Sequence, residues 1–389
     1  MLMQDRVEEI SAEPGTLEGL YRHWGAALAI SLGCGALFAL FVGDKVPVPV
    51  PGVANPLFWI GWAPLAAVGI VVFLAVVAPE SNRLRWYGGA AAIAIVAALS
   101  SALMAWDRTD HVATLIALHL PFVAWAAVGA SVTMGRPDRA RHFYAFIVRS
   151  MEALVTSGIY LGAGIVFGGL TLGIFAVLGL ELPESALRVA LAFGIGVIPV
   201  LAVASVYDPT CAPAEQNLSG LARILRIVTW LMLPVALGVL TLYVFWFIPA
   251  YFWRAFNERE VLIVYNATIM AILALLAATV SSGSGHRRRQ GERVLRRAVL
   301  SLSTLTLLLN VYALAAIVSR IVQYGGLTPN RHAVLGWNIV TLLMLAFLLV
   351  RSWSSESDEW LPEFRASLAR AMVLAVGWAS WVVLGLPLF

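Results

Sequence analysis

Two arginines that bracket one loop suggest the most definite chemistry in this sequence. Arg320 and Arg331 lie at the ends of two neighbouring apolar segments, on the side of the membrane that carries few basic residues. A guanidinium group binds carboxylate and phosphate oxygens through paired hydrogen bonds. We therefore predict that Arg320 and Arg331 bind an anionic headgroup or partner, with Asn310 and Tyr312 forming the cavity wall below them. The alternative is that this loop is only a structural hinge.

A second basic cluster lies between the two apolar segments that precede this loop. Basic side chains beside a membrane span attract anionic lipid, at about 1 kcal/mol for each charge near the leaflet. The alternative is a topology determinant without a ligand; neither interpretation needs nucleic acid. The predicted lipid-contact residues are Arg287, Arg288, Arg289, Arg293, Arg296 and Arg297.

Polar residues deep inside apolar segments are few. We expect Asn266, Asn310 and Asn338 to form hydrogen bonds with other helices. His119 is expected to be a hydrogen-bonded packing residue rather than a proton relay, and Glu152 to form an ion pair. The sequence has no Walker A pattern, no HExxH and no CxxC, so it predicts neither a cofactor nor a metal.

The composition predicts that lipid surrounds most of the chain. Of the 389 residues, 60% are hydrophobic and 12% are charged, with a mean hydropathy of +0.85. A spanning helix needs ~20 apolar residues. The chain is therefore predicted to be an all-α polytopic bundle of about eleven transmembrane helices (ten to twelve). The predicted spans are 24–43, 57–78, 86–106, 111–134, 151–178, 187–206, 225–248, 261–280, 297–318, 333–350 and 369–386.

The distribution of basic residues predicts the orientation of this bundle. With loops assigned alternately, 19 of the 26 lysines and arginines lie on the side of the N-terminus and 7 on the other. Basic loops are retained in the cytoplasm. Residues 1–20 are thus predicted to be an acidic cytoplasmic tail, and residues 21–389 a single transmembrane domain.

Three segments carry further expectations. The fifth span is rich in glycine, which predicts close packing against another helix; the alternative is a smooth helix that slides or borders a substrate path. Residues 139–150 combine aromatic side chains with arginine and are predicted to lie along the lipid surface. Residues 353–364 are acidic, which favours a protein partner there.

One stretch has a family resemblance. The residues that carry it are Asn310, Tyr312, Arg320, Tyr324, Gly326, Leu327, Thr328 and Arg331. This stretch resembles the bacterial membrane proteins of domain-of-unknown-function family 4153, in which an arginine-terminated span continues into an aromatic-Gly-Leu-Thr-x-x-Arg loop. This chain has one extra glycine, Gly325. The resemblance implies a polytopic protein of the bacterial inner membrane, and it implies no reaction or ligand.

These observations leave three classes of function open. The leading hypothesis is non-catalytic binding, translocation or organisation of lipid-like or small amphiphilic molecules. The second is an accessory, scaffold or sensor subunit that holds partners through residues 353–364 and the basic loop. The third is a membrane-embedded acyl- or glycosyltransferase that uses Asp44 and Asp107, although no general base with a partner is evident.

Overall fold

The structure is a computed structural model that describes residues 14–42, 56–77, 83–106, 110–180, 182–209, 211–216, 220–281, 289–323, 325–355 and 360–388. These residues are almost entirely helical and contain no strand. The long helices are Pro14–Val42 (α1), Pro56–Val77 (α2), Arg83–Trp106 (α3), Asp110–Thr133 (α4), Arg139–Val177 (α5), Glu184–Val206 (α6), Gly220–Leu242 (α7), Arg259–Ser281 (α8), Arg289–Gln323 (α9), Pro329–Ser354 (α10) and Trp360–Ser380 (α11).

Short helical segments complete these elements. The π-helical turn Tyr243–Phe247 and the turn Ile248–Ala250 extend α7, and the one-turn helix Arg254–Asn257 follows. The π-helical turn Trp381–Gly385 and the 3-10 turn Leu386–Leu388 extend α11. A further 3-10 turn, Pro213–Glu215, lies between α6 and α7.

The helices confirm the prediction of an all-α polytopic bundle. Each predicted span overlaps one of the helices α1–α11. Within the described residues, ten helical segments are long and apolar enough to cross a membrane, and α2 contributes a shorter apolar stretch over Gly61–Val77. The last predicted span, 369–386, lies within an apolar helical segment that covers Trp360–Leu388. Helices suit lipid because their backbone hydrogen bonds are satisfied within one segment.

The chain divides into two compact units, although the sequence suggests a single domain over 21–389. Unit 1 comprises Met1–Ala97 and Ala153–Ala212, and unit 2 comprises Ala98–Glu152 and Pro213–Phe389. In unit 1, α1 packs along α6 at two glycines. A Cβ at Gly35 would lie 2.7 Å from Val197 Cγ2, and a Cβ at Gly196 would lie 2.8 Å from Phe38 Cβ. Glycine therefore permits the close approach of these helices.

The expected close packing of the fifth span is not found within the described chain. Most side chains of α5 beyond residue 153 are exposed. A Cβ added to any of its glycines would meet nothing within 4 Å. The expectation was wrong for contacts inside this chain, because no described side chain or backbone packs against the glycines, although Tyr160 OH lies 2.7 Å from Ser205 Oγ in α6. The glycines are Gly158, Gly162, Gly164, Gly168, Gly169 and Gly173.

Unit 2 has a continuous apolar core between α7, α8, α9, α10 and α11. Leu276, Leu302, Leu309, Leu345 and Phe364 are fully buried in it. Helix α4 packs beside α10 and α11. This packing holds the ends of several helices close together.

The segment 139–150 does not form the separate lipid-surface helix that its composition suggests. It is the beginning of α5, which continues without a break to Val177. His142, Tyr144 and Phe146 are buried in unit 2. The prediction failed because the aromatic side chains contact protein: Tyr144, for example, donates a hydrogen bond to Ala277 O in α8 at 3.0 Å.

Candidate functional site

A large pocket lies at one end of unit 2. Its volume is about 900 Å³, near the upper end of the ~300–1,000 Å³ range of small-molecule sites. Its lining comes from the beginning of α5, the turn after α6, the ends of α8 and α10, and the beginning of α11. All five segments belong to loops that the predicted topology assigns to the cytoplasmic side. The polar and charged lining residues are Asp138, Arg141, Tyr144, Arg149, Gln216, Ser281, Arg351, Ser354, Ser355, Glu363 and Arg365.

Arg365 is held in the pocket wall by the C-terminal end of α8. Its guanidinium donates hydrogen bonds to Val280 O from Nε at 2.9 Å and from Nη2 at 2.6 Å. The last carbonyls of a helix have no partner within the helix and carry partial negative charge. Arg365 also lies over the Tyr144 ring, 5.7 Å from its centroid. These contacts fix the position of one positive charge.

Arg149 forms an ion pair that is almost completely buried. Its Nη1 atom lies 2.6 Å from Glu152 Oε2, and the exposed fractions of the two side chains are 7% and 0%. Arg149 also donates to Gln216 O at 3.3 Å. This confirms the expected ion pair of Glu152. Because a buried charge is costly without its partner, the pair fixes the side of the pocket where α5 begins.

Arg351 and Arg141 are more accessible than Arg149 and Arg365. Arg351 Nη2 lies 2.6 Å from Glu363 Oε1, and the Arg351 side chain is 47% exposed. Glu363 also lies 3.6 Å from Arg370. Arg141 is exposed, and its guanidinium forms no hydrogen bond or ion pair with any residue that the structure describes.

The predicted lipid-contact arginines have different surroundings. Arg296 donates to Ser352 O at 2.9 Å and to Ser355 O at 3.0 Å, and so it binds the end of α10. Arg293 and Arg297 are exposed. Arg287 and Arg288 lie outside the described residues, as does the side chain of Arg289. Contact of this group with anionic lipid stays a prediction.

The loop between α9 and α10 has the turn chemistry that its sequence suggests. Gly325 and Gly326 have φ angles of 62° and 134°, which favour glycine. Thr328 caps α10 by accepting a hydrogen bond from Arg331 N, and Pro329 begins the helix. Tyr324, which belongs to the family resemblance, lies outside the described residues.

Arg320 and Arg331, predicted to bind an anion on the outer side, both interact with other groups of the protein. Arg331 Nη1 donates to Gly326 O at 2.8 Å, closing the turn on itself. Arg320 is half-buried near the end of α9 and has interactions within the protein. Binding of an anion by Arg320 and Arg331 stays a prediction.

Asn310 belongs to a chain of amides that joins three helices. Asn310 Nδ2 donates to Asn338 Oδ1 at 3.2 Å, and Asn338 Nδ2 donates to Asn266 Oδ1 at 2.7 Å. The expected hydrogen bonds between helices are therefore confirmed. Tyr312 donates to Phe252 O at 2.5 Å and packs beside Phe252. Asn310 and Tyr312 are buried, and these contacts give both residues a structural role.

His119 has the packing role that the sequence suggests. Its Nδ1 atom lies 2.7 Å from Leu115 O, and its Nε2 atom accepts a hydrogen bond from Trp337 Nε1 at 2.6 Å. These partners correspond to a neutral ring with the proton on Nδ1, a tautomer assigned from the hydrogen bonds. His119 thus links α4 to α10.

Sequence reasoning missed the convergence of Arg141, Arg149, Arg351 and Arg365. In the sequence, Arg141 and Arg149 belong to the predicted lipid-surface segment 139–150, and Arg351 and Arg365 are only charges that set topology. The available signal was that all of them belong to loops on the same predicted side; which loops meet depends on helix packing. Among the described residues, no group of His, Cys, Asp and Glu side chains is arranged to hold a metal ion.

The fold defines a multi-pass membrane protein of the all-α class, with a polar, arginine-lined pocket at one end of unit 2. Comparison with protein-family models, curated proteins and solved structures found no match for this chain.

Proposed function

We propose that this protein binds or organises lipid-like or small amphiphilic molecules in a membrane, without catalysing a reaction. The observation that carries the proposal is the pocket of about 900 Å³ at one end of unit 2. Its wall combines arginines with apolar side chains such as Val148, Pro213 and Pro362. A wall of this composition suits a molecule with a charged head and an apolar body.

The location of the protein is also part of the proposal. We propose the bacterial inner membrane, with the N-terminus in the cytoplasm, from the family resemblance and from the excess of arginine in alternate loops. The pocket would then open towards the cytoplasm. Translocation of the bound molecule would need a path across the membrane, so binding or organisation is the simpler form of this proposal.

The test is native mass spectrometry of the protein extracted from its own membrane into lipid nanodiscs. Ala145 lines the pocket, and an Ala145→Trp variant would fill part of it. Ala163→Trp is the matched control, because Ala163 lies on the exposed part of α5. We expect the wild type and Ala163→Trp to retain a defined amphiphile that Ala145→Trp loses. Equal retention by both variants, or no retained species in the wild type, would reject the proposal.

A second candidate function is that of an accessory or scaffold subunit. The specific observation is the exposed, glycine-rich part of α5, at whose glycines an added Cβ would meet nothing described within 4 Å. Of the predicted partner segment 353–364, residues 356–359 lie outside the described residues, Trp353 is exposed, and Trp360 and Phe364 are buried. A stoichiometric protein partner after gentle extraction, absent from a Gly162→Leu/Gly169→Leu variant, would favour this candidate.

The transferase alternative has less support. Asp44 and Asp107, on which it rests, both lie outside the described residues. The deep polar residues Asn266, Asn310, Asn338 and His119 form hydrogen bonds between helices or within one helix. Those contacts give them structural roles.

A further inference from the structure

The charge of the pocket wall suggests what part of a ligand it recognises. Four arginines, Arg141, Arg149, Arg351 and Arg365, line the pocket, whereas only two carboxylates, Asp138 and Glu363, do so; a third carboxylate, Glu152, pairs with Arg149 behind the wall. The excess of positive charge favours an anionic group. Guanidinium groups bind phosphate through paired, charge-assisted hydrogen bonds.

Two of the four arginines are held in place by the protein. Arg365 is bound to the carbonyl groups at the end of α8, and Arg149 is paired with buried Glu152. A ligand that approaches them does not have to order these side chains. Such preorganisation lowers the cost of binding.

The other two arginines can rearrange to contact a ligand. Arg141 has no hydrogen bond or ion pair from its guanidinium to the described part of the chain. Arg351 shares Glu363 with Arg370, and an exposed pair of this kind contributes little to stability. Glu363 would keep Arg370 as a partner if Arg351 turned towards an anion.

We propose that this pocket recognises a phosphate group, with Arg141 and Arg351 donating hydrogen bonds to its oxygens. Arg365 supplies a fixed positive charge behind it, and the Arg149–Glu152 pair fixes the wall where α5 begins. Ser354 and Ser355 line the same wall, and their hydroxyl groups can accept hydrogen bonds from a polyol or amine near the phosphate. This inference deepens the proposed function and rests on it. The phosphate can belong to a lipid headgroup or to a soluble phosphorylated molecule.

The experiment compares two double variants that remove the same charge. Arg141→Gln/Arg351→Gln removes the proposed phosphate contacts. Arg254→Gln/Arg259→Gln is the matched control, because both side chains are exposed, do not line the pocket and do not belong to the predicted lipid-contact cluster. Binding is measured by native mass spectrometry in phosphatidylcholine nanodiscs that contain phosphatidylglycerol, and by thermal shift with added glycerol 3-phosphate.

We expect the pocket variant to bind its phosphorylated ligand at least about ten-fold more weakly than the control variant, since each charge-assisted hydrogen bond to the phosphate contributes about a factor of ten. Selective loss of phosphatidylglycerol would identify a lipid headgroup, and selective loss of the glycerol 3-phosphate shift would identify a soluble ligand. Equal binding by the two double variants, in both measurements, would overturn the phosphate assignment.

The same measurements distinguish a failure of the phosphate assignment from a failure of the proposed function. If the wild type retains an amphiphile that Ala145→Trp loses, and the two arginine variants retain it equally, the pocket binds an amphiphile without recognising phosphate. If the wild type retains no amphiphile, the proposed function itself fails.

Discussion

Unit 2 carries arginines at two places that differ in how their side chains are used. In the loop between α9 and α10, Arg331 donates to Gly326 O a few residues away. In the pocket, Arg149 and Arg365 are bound by Glu152 and by the end of α8, while Arg141 and Arg351 remain accessible. The first arrangement closes a local turn. The second brings together charges from helices that are distant in sequence.

In unit 2, the conspicuous loop motif and the candidate ligand site are therefore separate features. Loop residues such as Gly325, Gly326, Thr328 and Pro329 determine the turn and the start of α10, and Arg331 contributes to the same turn. A site for a molecule of some size needs walls from several elements. In unit 2, the pocket has such walls.

The largest loss of stability is expected from removing Glu152, the buried counter-charge of Arg149. Glu152→Ala would leave Arg149 buried without its carboxylate, at a cost of about 3 kcal/mol in stability. Glu184→Ala is the control, because the Glu184–Arg188 pair is exposed and its loss should cost at most about 0.5 kcal/mol. Thermal unfolding in nanodiscs, followed by tryptophan fluorescence, measures both. Equal midpoints for the two variants would show that the buried pair does not support the pocket.

A smaller loss of stability is expected at the end of α8. Arg365→Gln removes the charge-assisted hydrogen bonds to Val280 O, which should cost about 2 kcal/mol. Arg370→Gln removes a more exposed charge, 3.6 Å from Glu363, and should cost less than about 0.5 kcal/mol. The same unfolding measurement distinguishes them. If Arg370→Gln proved the more harmful, the capping role of Arg365 would be wrong.

The smallest effect concerns the amide chain. Asn338→Leu breaks the bonds to Asn266 and Asn310, each worth ~0.6 kcal/mol in a membrane bundle, so the total cost is about 1 kcal/mol. Asn257→Leu, at an exposed position, should change stability little. Because the amides join helices, Asn338→Leu should lower the unfolding midpoint and leave ligand retention unchanged. Loss of the ligand without loss of stability would instead make Asn310 part of a binding site, as the sequence suggests.

Much of the fold follows from hydropathy. The apolar segments are long enough to give the helices, and isolated polar residues such as His119, Glu152 and Asn338 must find partners when lipid replaces water. The sequence predicts that each of these residues has a polar partner, but it does not identify the partner residue. Trp337, for instance, is 218 residues from His119 in sequence.

Two features could not be predicted from local composition. The aromatic residues of 139–150 suit a lipid surface as well as a protein interior, and only the packing of α5 against α8 decides between them. The glycines of α5 suggest a neighbouring helix, but a sequence does not say whether that helix belongs to the same chain. The pocket likewise depends on which helix ends meet.

We propose that the amphiphile binds at the pocket and not at the loop between α9 and α10. The most direct measurement is native mass spectrometry of Ala145→Trp beside Arg320→Gln/Arg331→Gln, each extracted from the same membrane. We expect the retained species to be absent from the first variant and retained by the second. If the retained species were absent from the second variant alone, the pocket would not be the binding site, and the site would lie at Arg320 and Arg331.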